Sequence, residues 1–235
     1  MTVLQVEYHQ HHRDVTGGWL RPAVFGVMDG LVSNGALIAG VAGGGGDPRT
    51  IVLTGLAGLV AGACSMATGE YTSVASQTEL IRSEIAREQR ELAAQPAEEQ
   101  AELAALYRAR GLDPELADQV AAQLSRDPSQ AWRVHVREEM GIDPDDLPSP
   151  WVAAGSSFAA FALGALVPVL PFLIGLGSLA AALAVTAVAL FAAGAAVARL
   201  TAVSVWFGGL RQLGLAAGAA AVTYGIGHLI GVSLS

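Results

Sequence analysis

The sequence predicts an all-α protein that crosses a membrane several times and carries a helical insert in the cytosol. The chain has 235 residues, of which only 14% are charged, whereas soluble domains carry roughly 25%. Its mean hydropathy is +0.46. Residues 151–235 contain no aspartate or glutamate, which is rare in a soluble segment of that length. Together these observations indicate a polytopic membrane protein.

Five apolar segments are long enough to cross the hydrocarbon core, which requires about 20 mostly apolar residues. In chain order they cover residues 22–46, 50–75, 151–174, 178–200 and 212–230. The first ends in four glycines followed by Asp47-Pro48, a combination typical of a turn. Pro168 and Pro171 interrupt the third, so we expect neighbouring groups or water to satisfy the backbone carbonyls that these prolines free.

The arginines predict the orientation in the membrane. With the N-terminus in the cytoplasm, every arginine except Arg49 falls on the cytoplasmic side or at its boundary, as the positive-inside rule requires. The first twenty residues have no apolar core and so do not resemble a secretory signal peptide. We therefore expect a multi-pass protein of the cell membrane, with the bilayer itself as a partner.

The charge distribution divides the chain into four regions. The predicted regions are a cytosolic tail at residues 1–21, two spans at 22–76, a helical insert at 77–150 and three spans at 151–235. The insert holds sixteen acidic residues and eight arginines, so it carries the entire net charge of -8. Such a surface attracts cations and repels nucleic acid, and we expect no nucleic-acid partner.

The insert itself reads as a series of helices. The second span continues into it without a stop signal up to about residue 94. Proline or aspartate-proline pairs then predict three further helix starts. These starts lie at Pro96, Asp113-Pro114 and Asp127-Pro128, and the first and last of the three helices end at Gly111 and Gly141.

Acidic residues and one histidine in the insert are spaced to share helix faces at i,i+3 or i,i+4. The pairs are Glu88 with Glu91, Glu99 with Glu102, and His135 with Glu139. Carboxylates with an occasional imidazole suit hard or borderline divalent ions such as Fe²⁺ and Mn²⁺. A solvated helix face with glutamate–arginine pairs explains the same spacing, and the sequence alone leaves both interpretations open.

Two carboxylates lie inside apolar spans, where an ionised group normally faces a cavity or a partner. Asp29 is in the first span and is followed one turn later by Ser33 and Asn34. Glu70 lies towards the inner end of the second span, with the thioether of Met66 one turn before it. These residues predict a polar route for a cation. The alternatives are that Glu70 reaches the headgroups and that Met66 is a packing residue.

Three other features have a simple and a functional interpretation. His9, His11 and His12 form either a disordered tail or a metal-gathering arm. His228 in the last span is a packed or interfacial residue, with a proton relay as the alternative. Cys64 is the one cysteine, so no intrachain disulfide forms, and we expect it to be a packing residue.

Four short motifs occur in a recognisable order. They are Asp29-Gly30-Leu31; Ser65-Met66 with Gly69-Glu70-Tyr71; Arg87-Glu88-Gln89 with Glu91; and Leu166-Val167-Pro168-Val169-Leu170-Pro171. In this order they resemble the motifs of the vacuolar iron transporter family. The resemblance covers nearly the whole chain apart from the first dozen residues.

The resemblance implies a five-helix protomer that forms a homodimer, with the ion path between the subunits. It implies export of Fe²⁺, and of Mn²⁺ as a second ion, from the cytosol in exchange for protons, without a fixed cofactor. By the same resemblance, Asp29 and Met66 line the path. The carboxylates that would bind metal in the insert are Glu88, Glu91, Glu99, Glu102 and Glu139.

Two positions depart from the family pattern. A methionine pair of the last insert helix is replaced by His135-Val136, which predicts a harder set of ligands. A path glutamate that some members carry in the second span is replaced by Gly58. The route of the protons is therefore open, and Glu70 is a candidate substitute.

We favour a proton-coupled metal transporter, which is not an enzyme. The alternative is a membrane-anchored ferroxidase or metal store with a carboxylate di-iron site, although the Glu-x-x-His motifs of such bundles are missing. A metal sensor without transport is a third interpretation. Asp29 inside a span argues against it, because a passive anchor has no use for a buried carboxylate.

Overall fold

The structure is a computed structural model that describes residues 18–234, and side chains up to residue 231. Helices dominate this part of the chain and it contains no strand, which confirms the all-α prediction. The helices are α1 Leu20–Gly43, α2 Pro48–Ala94, α3 Pro96–Ala109, α4 Pro114–Leu124, α5 Pro128–Glu139, α6 Pro150–Leu166, α7 Leu170–Leu173, α8 Leu179–Leu200 and α9 Val205–Leu234. The three histidines of the tail lie outside the described residues.

Four of the described helices are long and apolar enough to cross a membrane, namely α1, α2, α8 and α9. The chain is therefore a polytopic membrane protein, as the composition predicts. The predicted third span is divided between α6, which has 17 residues, and the short α7. Because Pro168 has no N–H to donate, the helix stops at Leu166 and resumes at Leu170. The count of five spans stays a prediction.

The contacts divide the chain into two compact units. The membrane unit comprises the chain up to Tyr71 and from Trp151 onward, and the insert unit comprises Thr72–Pro150. Helix α2 continues from one unit into the other, and its 47 residues correspond to about 70 Å of helix. The predicted insert, residues 77–150, lies within the insert unit.

Small residues allow the helices of the membrane unit to approach closely. A side chain at Gly227 of α9 would collide with the carbonyl oxygen of Gly40 in α1. One turn earlier, the Thr223 hydroxyl donates a hydrogen bond of 2.7 Å to the Ala36 carbonyl. Gly30 of α1 lies in the same way against the backbone of α6. Close backbone contact of this kind is how helices pack where there is no hydrophobic driving force.

The insert unit is built on small apolar contacts between α3, α4 and α5. Leu103, Ala104 and Ala121 form its buried core. A proline occupies the first turn of each of the three helices, where its missing N–H costs nothing. Gly111 has a φ of +99° and Gly141 a φ of +67°, a conformation that glycine adopts without strain after a helix. The helix starts predicted from these residues agree with the structure.

Candidate functional site

Three carboxylates and one imidazole meet inside the insert unit. Glu88 comes from α2, Glu99 from α3, and His135 and Glu139 from α5. One ligand atom of each lies within 4.8 Å of the others. We call these four residues the insert cluster. Its members come from three helices, so folding of the unit is what assembles them.

The imidazole of His135 lies among the carboxylates. Its Nδ1 is 3.1 Å from Oε1 of Glu139, 3.2 Å from Oε1 of Glu88 and 3.7 Å from Oε2 of Glu99. Only the Glu139 contact has hydrogen-bond geometry, and Oε1 of Glu88 has no hydrogen-bond partner among the described residues. One N–H can serve one of these oxygens at a time. The remaining oxygens are free to face a shared cation.

The insert cluster is largely shielded from water. His135 is 0% exposed, Glu88 5% and Glu99 7%, while Glu139 lies at the surface. Burial, followed by the neighbouring charge of Glu139, raises the pKa of Glu88 to about 7. Burial, followed by the charge of Glu102, also raises the pKa of Glu99. The cluster therefore concentrates negative charge that a divalent cation would compensate.

Two predicted metal ligands lie outside the insert cluster. Oε1 of Glu91 accepts a hydrogen bond of 3.0 Å from Arg87, and the Glu91 side chain is 41% exposed. Glu102 is exposed on α3. The structure thus brings together one member of each predicted acidic pair and both members of the histidine pair. Metal binding by all six residues stays a prediction.

A groove of about 280 Å³ with both polar and apolar side chains opens in the membrane unit. We call it the membrane groove. Its lining residues come from α1, α2 and α6: Asp29, Ser33, Asn34, Leu37, Gly58, Gly62, Ser65, Met66 and Phe161. The structure thereby brings together four of the five residues predicted for a cation route. The sequence offered no signal for Phe161, whose position depends on how α6 packs.

The amide of Asn34, which lines the membrane groove, connects three helices. Its Nδ2 donates to the carbonyl of Gly55 at 3.1 Å and to the carbonyl of Ala165 at 2.6 Å. The Ala165 carbonyl is available because the N–H of Val169 donates to Leu166 instead, at the break caused by Pro168. A side chain from α1 thus satisfies a carbonyl that this break frees.

Glu70 is the predicted path residue that does not line the membrane groove. It is 9% exposed, and its Oε2 is buried with no hydrogen-bond partner among the described residues. Its role in a path stays a prediction. His228 and Cys64 are exposed on α9 and α2.

These features define a helical polytopic membrane protein with a carboxylate–imidazole cluster in its insert unit and a groove that contains a carboxylate in its membrane unit. The chain belongs to the VIT family, whose model matches residues 20–228. This confirms the resemblance that the motifs indicated.

Several relatives are named for iron transport. A vacuolar iron transporter of Acanthamoeba castellanii is 40% identical over 146 residues, which are 62% of this chain and 52% of that protein. Vacuolar iron transporter 1 of Arabidopsis thaliana is 31% identical over 160 residues, 68% of this chain and 64% of that protein. Vacuolar iron transporter homolog 1 of Oryza sativa subsp. japonica is 48% identical over 85 residues, 36% of this chain and 37% of that protein. The chain thus spans about half the length of the first relative and about a third of the last.

Proposed function

We propose that this protein transports Fe²⁺, and Mn²⁺ as a second ion, out of the cytosol in exchange for protons. The observation that carries the proposal is the membrane groove, because it places the carboxylate of Asp29 beside polar atoms among apolar helices. A carboxylate within a membrane-spanning helix costs free energy unless it serves an ion or a partner. The choice of iron as the transported metal follows from the names of the relatives, which are vacuolar iron transporters.

The ligands of the two sites support a borderline divalent ion. The insert cluster offers three carboxylates and one imidazole, a set that suits Fe²⁺ and Mn²⁺. The membrane groove adds the thioether of Met66, a softer ligand that Mg²⁺ and Ca²⁺ do not favour. The first site would gather the metal, and the second would pass it across the bilayer.

Competition between metal and protons gives the exchange a physical basis. A carboxylate that holds a proton cannot hold a cation as well, so metal binding releases protons. Glu88, with its pKa at about 7, is poised for this competition near neutral pH. The same competition at Asp29 in the membrane groove would couple outward movement of metal to inward movement of protons.

The arrangement in the membrane follows from the same proposal. The N-terminus and the insert lie in the cytosol, α6 and α7 together form the third of five spans, and the protein resides in the cell membrane. In a homodimer, the second protomer closes the open side of the membrane groove. One observation supports the dimer: Gly58 and Gly62 of α2, where small residues permit close helix contact, line the open groove.

Asp29→Ala tests the proposal in proteoliposomes loaded with a pH-sensitive dye. We expect this variant to lose metal-dependent proton movement and Mn²⁺ flux while the insert still binds Mn²⁺. Glu79→Ala, which removes an exposed carboxylate of α2, is the matched control and should transport normally. Wild-type flux through Asp29→Ala would remove the groove from the mechanism.

The ferroxidase or storage alternative rests on the insert cluster, whose carboxylates could also hold iron without passing it on. Oxygen consumption after addition of Fe²⁺ separates the two functions. A transporter should show no consumption above that of empty liposomes. Sustained turnover that disappears in His135→Ala would favour the enzyme.

A further inference from the structure

The side-chain oxygen of Asn34 is a buried acceptor without a donor. The residue is 2% exposed, and Oδ1 has no hydrogen-bond partner in the part of the chain that the structure describes. Buried polar groups are nearly always paired, so an exception calls for a physical explanation. The explanation lies in what surrounds the two ends of this amide.

The orientation of the amide is determined by its neighbours. Both protons of Nδ2 are committed, one to the carbonyl of Gly55 and the other to that of Ala165. Rotating the amide by half a turn would set its oxygen against two carbonyl oxygens, which cannot donate. The nitrogen therefore faces the helix contacts, and the oxygen has to face the other way.

That other direction is the membrane groove. An alanine Cβ at Gly58 would lie 2.8 Å from Oδ1 of Asn34 and 2.7 Å from Cδ2 of Leu37. The backbone of α2 at Gly58 therefore lies against this oxygen, and no side chain separates the two. Gly58 and Asn34 both line the groove together with Asp29 and Met66, so an amide, a carboxylate and a thioether border the same space.

We propose that Oδ1 of Asn34 is a ligand of the cation in the membrane groove, with its direction set by the two hydrogen bonds of its nitrogen. This inference rests on the proposed transport function. An amide oxygen suits Mn²⁺ and Fe²⁺ and does not titrate in the physiological range. It therefore contributes affinity for the metal at every pH, whereas Asp29 exchanges metal for protons.

Three variants distinguish a role of Asn34 as a metal ligand from a role as a hydrogen-bonded link between helices. Asn34→Ala removes both the oxygen and the hydrogen bonds. Gly58→Ala crowds the oxygen but removes neither the amide nor the two carbonyls to which it donates. Gly69→Ala, at a position of α2 where a Cβ would meet nothing within 4 Å, is the control for an added methyl group. The measurements are the KM and maximal rate of Mn²⁺ flux in proteoliposomes, the ratio of protons to metal, and thermal stability.

We expect Asn34→Ala and Gly58→Ala each to raise KM for Mn²⁺ by about tenfold, at the low end of the effect of disturbing groups that hold a metal. The proton-to-metal ratio should stay unchanged, and Gly69→Ala should match the wild type. Asn34→Ala should lose thermal stability because its hydrogen bonds are gone, and Gly58→Ala should lose some through overpacking. The double variant should be no worse than Asn34→Ala, because both changes act on one oxygen.

Two results would overturn the inference. If Asn34→Ala raises KM and Gly58→Ala does not, the amide acts as a tether and not as a ligand. If the effects of the two substitutions multiply in the double variant, Gly58→Ala acts by a different route. In both cases loss of flux in Asp29→Ala would leave the proposed function standing, whereas wild-type flux in that variant would reject the function itself.

Discussion

The insert cluster and the membrane groove are two candidate cation sites of opposite character. The cluster has three carboxylates and one imidazole, mostly buried and drawn from three helices of one unit. The groove has one carboxylate, a neutral amide and a thioether, and it is open on one side. Concentrated negative charge favours holding a divalent ion, whereas a sparse and largely neutral set of ligands favours letting it pass. The contrast suggests that capture and passage are assigned to different units.

Among the substitutions that test the difference between the insert cluster and the membrane groove, we expect the largest effect at His135. His135→Ala removes the group that contacts all three carboxylates and leaves them to repel one another. We expect the affinity of the full-length protein for Mn²⁺ to fall by about a hundredfold, the upper end of losses from disturbed metal sites. Titration calorimetry on the purified protein measures it, and His228→Ala is the matched control because His228 is exposed on α9.

Substitution of glutamate by glutamine then distinguishes the compact cluster from the wider set of acidic residues. Glu88→Gln should weaken Mn²⁺ binding by about tenfold or more, because it removes a buried ligand. Glu91→Gln changes an exposed carboxylate one turn further along α2, which pairs with Arg87, and should have little effect. Equal losses in both variants would show that the wider set binds the metal.

The pH dependence separates a titrating site from a neutral one. Since the pKa of Glu88 is about 7, protons occupy it below neutral pH, and binding of Mn²⁺ to the insert cluster should weaken as pH falls from 8 to 6. In the metal-free protein, folding stability depends on pH with the opposite sign. Glu88 holds its proton more tightly when folded, so it stabilises the fold at low pH, and this stabilisation is lost as pH rises through about 7.

Two measurements test this pH dependence. Calorimetric titrations with Mn²⁺ across the pH range should show the loss of affinity at acid pH. Thermal melts without metal should show stability falling as pH rises from 4.5, the ordinary pKa of the carboxyl, to about 7. Both slopes should flatten in Glu88→Gln. A pH dependence that is the same in wild type and variant would assign the titration to another group.

The smallest effect concerns the independence of the two units. Gly227→Ala places a methyl group against the Gly40 carbonyl, and we expect it to destabilise the protein by about 1–3 kcal/mol, as overpacking does. Gly225→Ala, on the same helix with nothing within 4 Å of its Cβ, should be neutral. Thermal melts in detergent measure both. Affinity for Mn²⁺ should be unchanged, and a parallel loss of binding would mean that the units are coupled.

Much of the architecture was predictable because it depends on local chemistry. Apolar length and the lack of acidic residues predicted membrane helices, and Pro96, Pro114 and Pro128 predicted where the insert helices begin. The candidate sites were predictable only in part. Spacing showed that Glu88 and Glu91 share a helix side, but it could not show that Glu88 turns inwards while Glu91 pairs with Arg87.

The sequence by itself determined the class of the protein, the helix starts in the insert and the family motifs, because these depend on composition and on neighbours along the chain. Only the tertiary structure decided which acidic side chains meet His135, and that the amide of Asn34 reaches the carbonyl of Ala165 across 131 positions of the chain. Such contacts depend on how separate helices pack, and helical periodicity specifies the faces of a helix but not their partners.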